Sequence, residues 1–243
     1  MTITLKDHYD LGEQVADDPI VVVFDDFLSA GECKHIINLA RPKMKRGRVT
    51  LDEEVAYSEG RTGSTAWIPH DSTPIVRKIV SRVSELTGLS TRNAESLQVV
   101  HYAETQEYKA HHDAWKAGTD RHALRTANGG QRLITALMYL NEVEAGGGTG
   151  FPKLKVEVAP IPGRMVLFHN TTGMIHDVHK KSLHGGLPVH SGEKWACNLW
   201  FRELQYDRPG KAKGINAKAG ARPVRPGAKK NRKNQKAARR RNR

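Results

Sequence analysis

The chain has 243 residues, 38% of them hydrophobic and 27% charged, a net charge of +13 at pH 7, and two cysteines. That length buries one substantial core and leaves room for a tail. No run of eighteen apolar residues occurs, which argues against a membrane span. Cys33 and Cys197 cannot build a disulfide framework, and a reducing compartment is the simpler expectation. The first ten residues lack the basic-then-apolar pattern of a secretory signal, so a soluble cytoplasmic protein is expected. The charge is unevenly placed: Arg208 to Arg243 holds 15 Lys and Arg and no acid, leaving −2 for residues 1–207.

Residues 1–19 read as an N-terminal segment, and the His8-Tyr9-Asp10 triplet within it, with no strand before it, reads as solvated. Ile20–Phe24 is a β-branched run, expected to be a strand. Ser29-Ala-Gly-Glu32 forms a capping box that opens a helix with Cys33, Ile36, Ile37 and Ala40 on its inward stripe, ending before Pro42. Cys33 is therefore expected to be a buried thiol. Lys43–Ser64 is polar and broken, suited either to a mobile lid over a site or to an ordinary surface loop. A second helix starts at Pro74 and closes at Gly88, with Ile75, Ile79, Val83 and Leu86 as its apolar face.

Beyond Glu95 the period changes to that of strands: Leu97–Tyr102 alternates, and Arg132–Leu140 is nearly all apolar, as a strand covered on both faces would be. Glu144–Pro152 reads as a loop, and Lys155–Val158 and Gly163–Phe168 as further strands. In Lys194–Arg202 one face carries Trp195, Cys197, Leu199 and Phe201, suited to pack beneath helices. The other face carries Lys194, Ala196, Asn198, Trp200 and Arg202. Short strands after two helices predict a mainly β (α+β) fold, a jelly roll or double-stranded β-helix with N-terminal helices packed on one side. The domain spans residues 20–205, with a catalytic core over 95–203 and a basic tail from 206 to 243.

The stretch Tyr102–Asp113 ends in His111-His112-Asp113. In extended backbone, side chains two apart share a face, so His111 and Asp113 can reach one metal while His112 points away. An imidazole and a carboxylate are two thirds of the facial triad of non-haem Fe(II) oxygenases, and the third ligand must come from elsewhere. Lys194 poses a related question, because an ammonium facing a barrel interior needs an anion. A lysine that snorkels to water from the strand's start is the alternative.

These pieces together resemble the prolyl 4-hydroxylase family of Fe(II)- and 2-oxoglutarate-dependent oxygenases. The matching features are Asp25–Ser29, Arg61-Thr-Gly-Ser64, Tyr102 with Tyr108–Asp113, Met138-Tyr-Leu-Asn141, Gly146–Pro152, and Leu183-His184 through Lys194-Trp195. They fall in the family's order over residues 20–203, a combination more specific than any one piece. The resemblance implies Fe(II) held by His111, Asp113 and His184, with the distal carboxylate of 2-oxoglutarate on Lys194. Tyr102, and with it Tyr139, is implied to hydrogen-bond the cosubstrate. O2 is the oxidant, and ascorbate is a candidate accessory reductant. Arg61 falls in the segment that closes over substrate in the family and Trp200 matches an aromatic near the active site; with Trp115, which follows the metal motif and is suited to line the site or its rim, they are the candidate substrate residues. His169, His176 and His179 compete for the third-ligand role, but only His184 lies ten residues before a lysine in the matching run; the others read as surface or supporting histidines. Trp67 and Trp195 read as packing residues. Gly148 departs from the Glu or Ala usual before the threonine of the family's Gly-Gly-x-Thr motif, and the basic tail has no counterpart in it.

The implied activity is hydroxylation at C4 of a prolyl residue in a peptide or protein, with succinate and CO2 as co-products. The alternatives are a related oxygenase acting on another side chain or on nucleic acid, and a non-catalytic jelly roll that works through its tail. That tail is expected to be disordered and to act as an electrostatic arm for RNA, DNA or ribosomes.

Overall fold

The computed structural model describes residues 3–46, 49–51, 54–56, 60, 62–173 and 177–207. Arg61, His176, several positions of the Lys43–Ser64 segment and the tail from Arg208 lie outside the described residues. In chain order the elements are β1 (Glu13–Asp17), β2 (Ile20–Phe24), α1 (Ala30–Ala40), β3 (Lys45–Arg46), β4 (Val49–Leu51), β5 (Glu54–Ala56), β6 (Ser64–Ile68) and α2 (Pro74–Thr87). Then follow β7 (Leu97–Tyr102), β8 (Tyr108–His111), α3 (Asp120–Thr126), β9 (Arg132–Tyr139), β10 (Ala145–Gly146), β11 (Thr149–Phe151) and β12 (Val156–Val158). The last are β13 (Met165–His169), β14 (Thr171–Thr172), β15 (Asp177–Val178), β16 (His184–Gly186), β17 (Val189–Ser191) and β18 (Lys194–Arg202).

Eight strands form one sheet in the order β1-β2-β13-β9-β18-β7-β6-β3, and four form another in the order β12-β11-β16-β8. The runs Ile-Val-Val-Val-Phe in β2 and Met-Val-Leu-Phe in β13 are continuously apolar because the large sheet is covered on both faces. Val22 and Phe24 join a cluster with Ile36 of α1 and Ile79 of α2, whereas Val21 and Val23 join Phe151 and Val158 of the small sheet. Successive side chains thus serve opposite cores, as the strand period of two requires. β18 divides as its alternation predicts: Trp195, Cys197, Leu199 and Phe201 lie in the helix-side core and Ala196 lies in the inter-sheet core. Two facing antiparallel sheets with α1 and α2 packed on one side are the jelly-roll arrangement expected. No helix among the described residues is long and apolar enough to cross a membrane.

The capping box of α1 is present, with Glu32 N–H donating to Ser29 Oγ and Ser29 N–H donating to the Glu32 carboxylate. Cys33 is buried as expected. Several expectations need correcting. The face of α2 is rotated: Val76, Ile79, Val80, Val83 and Thr87 are buried while Ile75 is exposed. At 100° per residue the buried arc is centred roughly 60° round from the expected one, since the large sheet sets which side faces inward. Glu144–Pro152 contains β10 and β11 rather than a loop alone, because its glycines leave no side-chain alternation to read. Tyr9 is buried, not solvated, its hydroxyl 2.9 Å from His169 Nε2, although His8 and Asp10 on either side of it are exposed. β1 and α3 have too little apolar periodicity to be foreseen.

Candidate active site

The register of the small sheet brings two histidines together. β16 runs antiparallel to β8 with His184 opposite His111, and the turn after β8 returns Asp113 to the same place. Gly185 permits this approach: a Cβ there would lie 2.9 Å from the Tyr108 carbonyl oxygen. The ligand atoms of His111, Asp113 and His184 all fall within 4.8 Å of one another. His111 Nε2 is 3.6 Å from Asp113 Oδ1, and His184 Nε2 is 3.5 Å from Asp113 Oδ2. Each imidazole has Nδ1 against a carbonyl, at 2.9 Å for His111 with Lys109 and 2.8 Å for His184 with Ser182. Nδ1–H donation there leaves the Nε2 lone pairs facing the cluster.

Burial pushes the Asp113 carboxyl upward, but the attraction of His184 and His111 outweighs it and holds the group well below the usual carboxylate range. Burial lowers His184 to about 4 against the pull of Asp113. An anionic carboxylate beside a neutral imidazole is the protonation state that a metal requires of its ligands. Asp113 Oδ2 accepts from Thr135 Oγ1 and from Trp200 Nε1, each at 2.8 Å, and Asn170 Nδ2 donates in turn to Thr135 at 2.8 Å. Thr135 and Trp200 are cross-strand partners on β9 and β18. Trp200 is therefore a support for the carboxylate, and Thr135 a support that sequence reading missed. Its only signal was a hydroxyl within the apolar run that follows Arg132.

The cluster opens into a cavity of about 210 Å³. Lys194 lies at its base, opposite Tyr102 on β7, and only 2% exposed. Its Nζ is 3.4 Å from the Gly148 carbonyl, and among the described residues no carboxylate pairs with it. Burial lowers its pKa to about 7. The lysine therefore does not snorkel. Tyr102 lines the same cavity, and Gly63 approaches its ring so closely that a Cβ would lie 2.5 Å from it. Tyr139 departs from expectation as a cosubstrate donor: it is fully buried behind the cavity wall, its hydroxyl donating to Thr149 Oγ1 at 2.7 Å. Thr149, not Tyr139, reaches the cavity.

Trp67, Trp115 and Trp200 also line the cavity, Trp200 only 3% exposed. Trp67 is 47% exposed and its ring lies 6.0 Å from that of Trp200, which corrects its reading as a packing residue; Trp195 is buried as expected. The Arg132 guanidinium lies 3.6 Å from the Trp200 ring centroid and pairs through two hydrogen bonds with buried Glu95. Arg202 is 5% exposed and also binds Glu95, at 2.8 Å. His112 stays out of the ligand cluster with Nδ1 3.3 Å from Ser182 Oγ, and His179 pairs with Asp18. Arg121 and Arg125 of α3 also line the cavity; nothing in the sequence marked them.

Two imidazole nitrogens and one carboxylate oxygen suit a ferrous ion and leave coordination positions for other ligands. The isolated ammonium of Lys194, buried in the same cavity, suits a dicarboxylate. The sequence profile of the 2OG-Fe(II) oxygenase superfamily matches residues 97–202. Among curated relatives, prolyl 4-hydroxylase 5 of Arabidopsis thaliana is 33% identical over 215 residues, covering 80% of this chain and 72% of the relative. A putative prolyl 4-hydroxylase of Acanthamoeba polyphaga mimivirus is 32% identical, over 84% of this chain and 83% of its own length. Among solved structures, the 2OG complex of viral collagen prolyl hydroxylase from Paramecium Bursaria Chlorella virus-1 is 30% identical with a TM-score of 0.62, covering 78% of this chain and 99% of that one. The protein is a 2-oxoglutarate-dependent dioxygenase. It belongs to the prolyl 4-hydroxylase family.

Proposed function

We propose that the protein hydroxylates C4 of a prolyl residue in a peptide or protein, with His111, Asp113 and His184 holding Fe(II) and Lys194 holding the distal carboxylate of 2-oxoglutarate. The observation that carries this reading is the convergence on one cavity of a His/Asp/His cluster and a buried lysine that has no acidic partner among the described residues. Residues 20–205 form the catalytic domain in this reading, with the core over 95–203.

Fe(II), when bound, supplies the activation of O2 and the coupling of 2-oxoglutarate decarboxylation, to succinate and CO2, with oxidation of a carbon. The chain's own groups do the rest. Thr135 and Trp200 pin Oδ2 of Asp113 so that the carboxylate keeps one orientation. Lys194 supplies the charge that orients the cosubstrate, and Tyr102 and Thr149 add neutral donors on the same wall. Trp67 and Trp115 offer flat apolar surfaces at the mouth for a proline ring.

The test is an incubation with Fe(II), 2-oxoglutarate, O2 and proline-rich peptides, with and without ascorbate, reading succinate and a gain of about 16 Da on proline, the mass of one oxygen atom inserted by the cofactor chemistry. His184→Ala serves as control. Equal output from the two proteins removes the assignment. The polybasic stretch 208–243 is proposed as a polyanion-binding arm: its deletion should spare turnover of a short peptide and abolish RNA binding at low salt. Persistent salt-sensitive binding would count against the arm.

A further inference from the structure

The proposed reaction leaves two cations of the cavity wall without a task. α3 turns Arg121 and Arg125, one helical turn apart, toward the cavity. Among the described residues neither guanidinium pairs with a carboxylate, whereas nearby Arg132 and Arg202 share Glu95. Like charges at this spacing repel. Burial, together with repulsion from Arg121 and Arg132, holds Arg125 below the usual arginine range. An anion entering the cavity would meet two guanidinium groups that no carboxylate among the described residues engages. The cosubstrate is not that anion, because its two carboxylates are assigned to Lys194 and to the metal at the base of the cavity.

We propose that Arg121 and Arg125 form a subsite for an acidic side chain, so that the protein selects prolyl residues flanked by Asp or Glu. This rests on the prolyl reading given above and names the substrate class within it. A peptide fits the surroundings better than a nucleic acid. The two arginines are a local pair, not part of a basic track, since Asp120 precedes Arg121 at the start of α3, Asp177 accepts from Ala117 N–H at 2.8 Å ahead of that helix, and residues 1–207 carry a net −2. Leu124, 61% exposed on the same helix, and the Trp115 ring at the mouth suit an apolar neighbour of the acidic residue.

The experiment uses the full chain with Fe(II) and 2-oxoglutarate and a panel of peptides in which one proline is flanked, at each of four positions on either side, by Glu, Gln or Lys. Hydroxyproline formation gives kcat/KM for each. At one position or more Glu should exceed Gln by about tenfold, mainly through KM, with Lys lower still and the gap closing as salt rises. Arg121→Gln/Arg125→Gln should bring the Glu and Gln peptides level. Arg121→Glu/Arg125→Glu should make the Lys peptide the preferred one, a gain that neither misfolding nor the basic tail can imitate. Equal rates for Glu, Gln and Lys peptides in the unaltered protein, or a Glu preference that survives the Gln variants, overturn the subsite and leave prolyl hydroxylation standing. Competition by a single-stranded oligonucleotide that is stronger than by the Glu peptide, and lost in the Gln variants, would assign the arginines to nucleic acid instead. Absence of hydroxyproline on every peptide overturns the prolyl reading and the subsite together.

Discussion

Asp113 shows how much of this site is held by groups that touch no ligand. Its Oδ2 has two donors, one from each of two neighbouring strands, so rotation of the carboxylate would break both bonds. Thr135→Val keeps the shape and removes one donor; Trp200→Phe removes the other and much of the ring stacked on Arg132. Either should weaken Fe(II) retention by about 10- to 100-fold, as loss of a supporting bond to a metal ligand does elsewhere. Titration with Fe(II) under anaerobic conditions reads this directly, and unchanged affinity would show that the carboxylate needs no such support. Lys194 carries a prediction of opposite kind. Its pKa of about 7 in the free protein lies below the ordinary lysine value because burial disfavours the charged form. Binding of a carboxylate requires the ammonium, so 2-oxoglutarate affinity should fall as pH rises above 7, and binding at pH 8 should take up close to one proton. Calorimetry in buffers of different ionisation enthalpy measures that uptake, and no uptake at pH 8 would mean the lysine is already charged without its partner.

At the scale of elements, strands and helices with a period were legible and those without one were not. β18 declared both of its faces, because nine alternating residues leave little choice of side. The ends of α2 were fixed by Thr73, whose hydroxyl accepts from Val76 N–H, and by Gly88 in the left-handed region at φ 73°. The face of α2 was not, since two overlapping stripes share Ile79 and Val83 and only the sheet chooses between them. The same limit hid Thr149, Trp67 and the arginines of α3, which reach the site only once strands distant in sequence are paired. β11 and β16 were invisible for a simpler reason: glycine carries no pattern. The choice of face gives a test. Val80→Ala should cost about 1 to 3 kcal/mol through the lost methyl groups and the space left behind. Ile75→Ala, at an exposed position, should change stability by less than about 0.5 kcal/mol. Urea unfolding of both variants decides; equal losses would restore the stripe through Ile75.

For the molecule as a whole, the residues ahead of β1 meet the large sheet at a buried polar contact that contains a titratable group. Tyr9 is 2% exposed and meets His169 at the end of β13, with the rings edge to face at 5.8 Å. Burial, reinforced by the charge of His179, lowers His169 to about 4 from the ordinary 6.5. The folded state therefore resists a proton that the unfolded chain accepts below pH 6.5. Between those two values the unfolded state holds more protons, and stability must fall as pH falls, by up to about 1.4 kcal/mol per pH unit for one group. Integrated from neutral pH to pH 5 the loss is about 2 kcal/mol, or about 4 to 8 °C in melting temperature for a domain of this size. His169→Gln keeps a polar partner for the Tyr9 hydroxyl but cannot titrate, so it should lose that much less than the unaltered protein over the same interval. Melting of both, loaded with Fe(II) so that His184 stays neutral, isolates the difference. Parallel curves would place the acid sensitivity outside this contact.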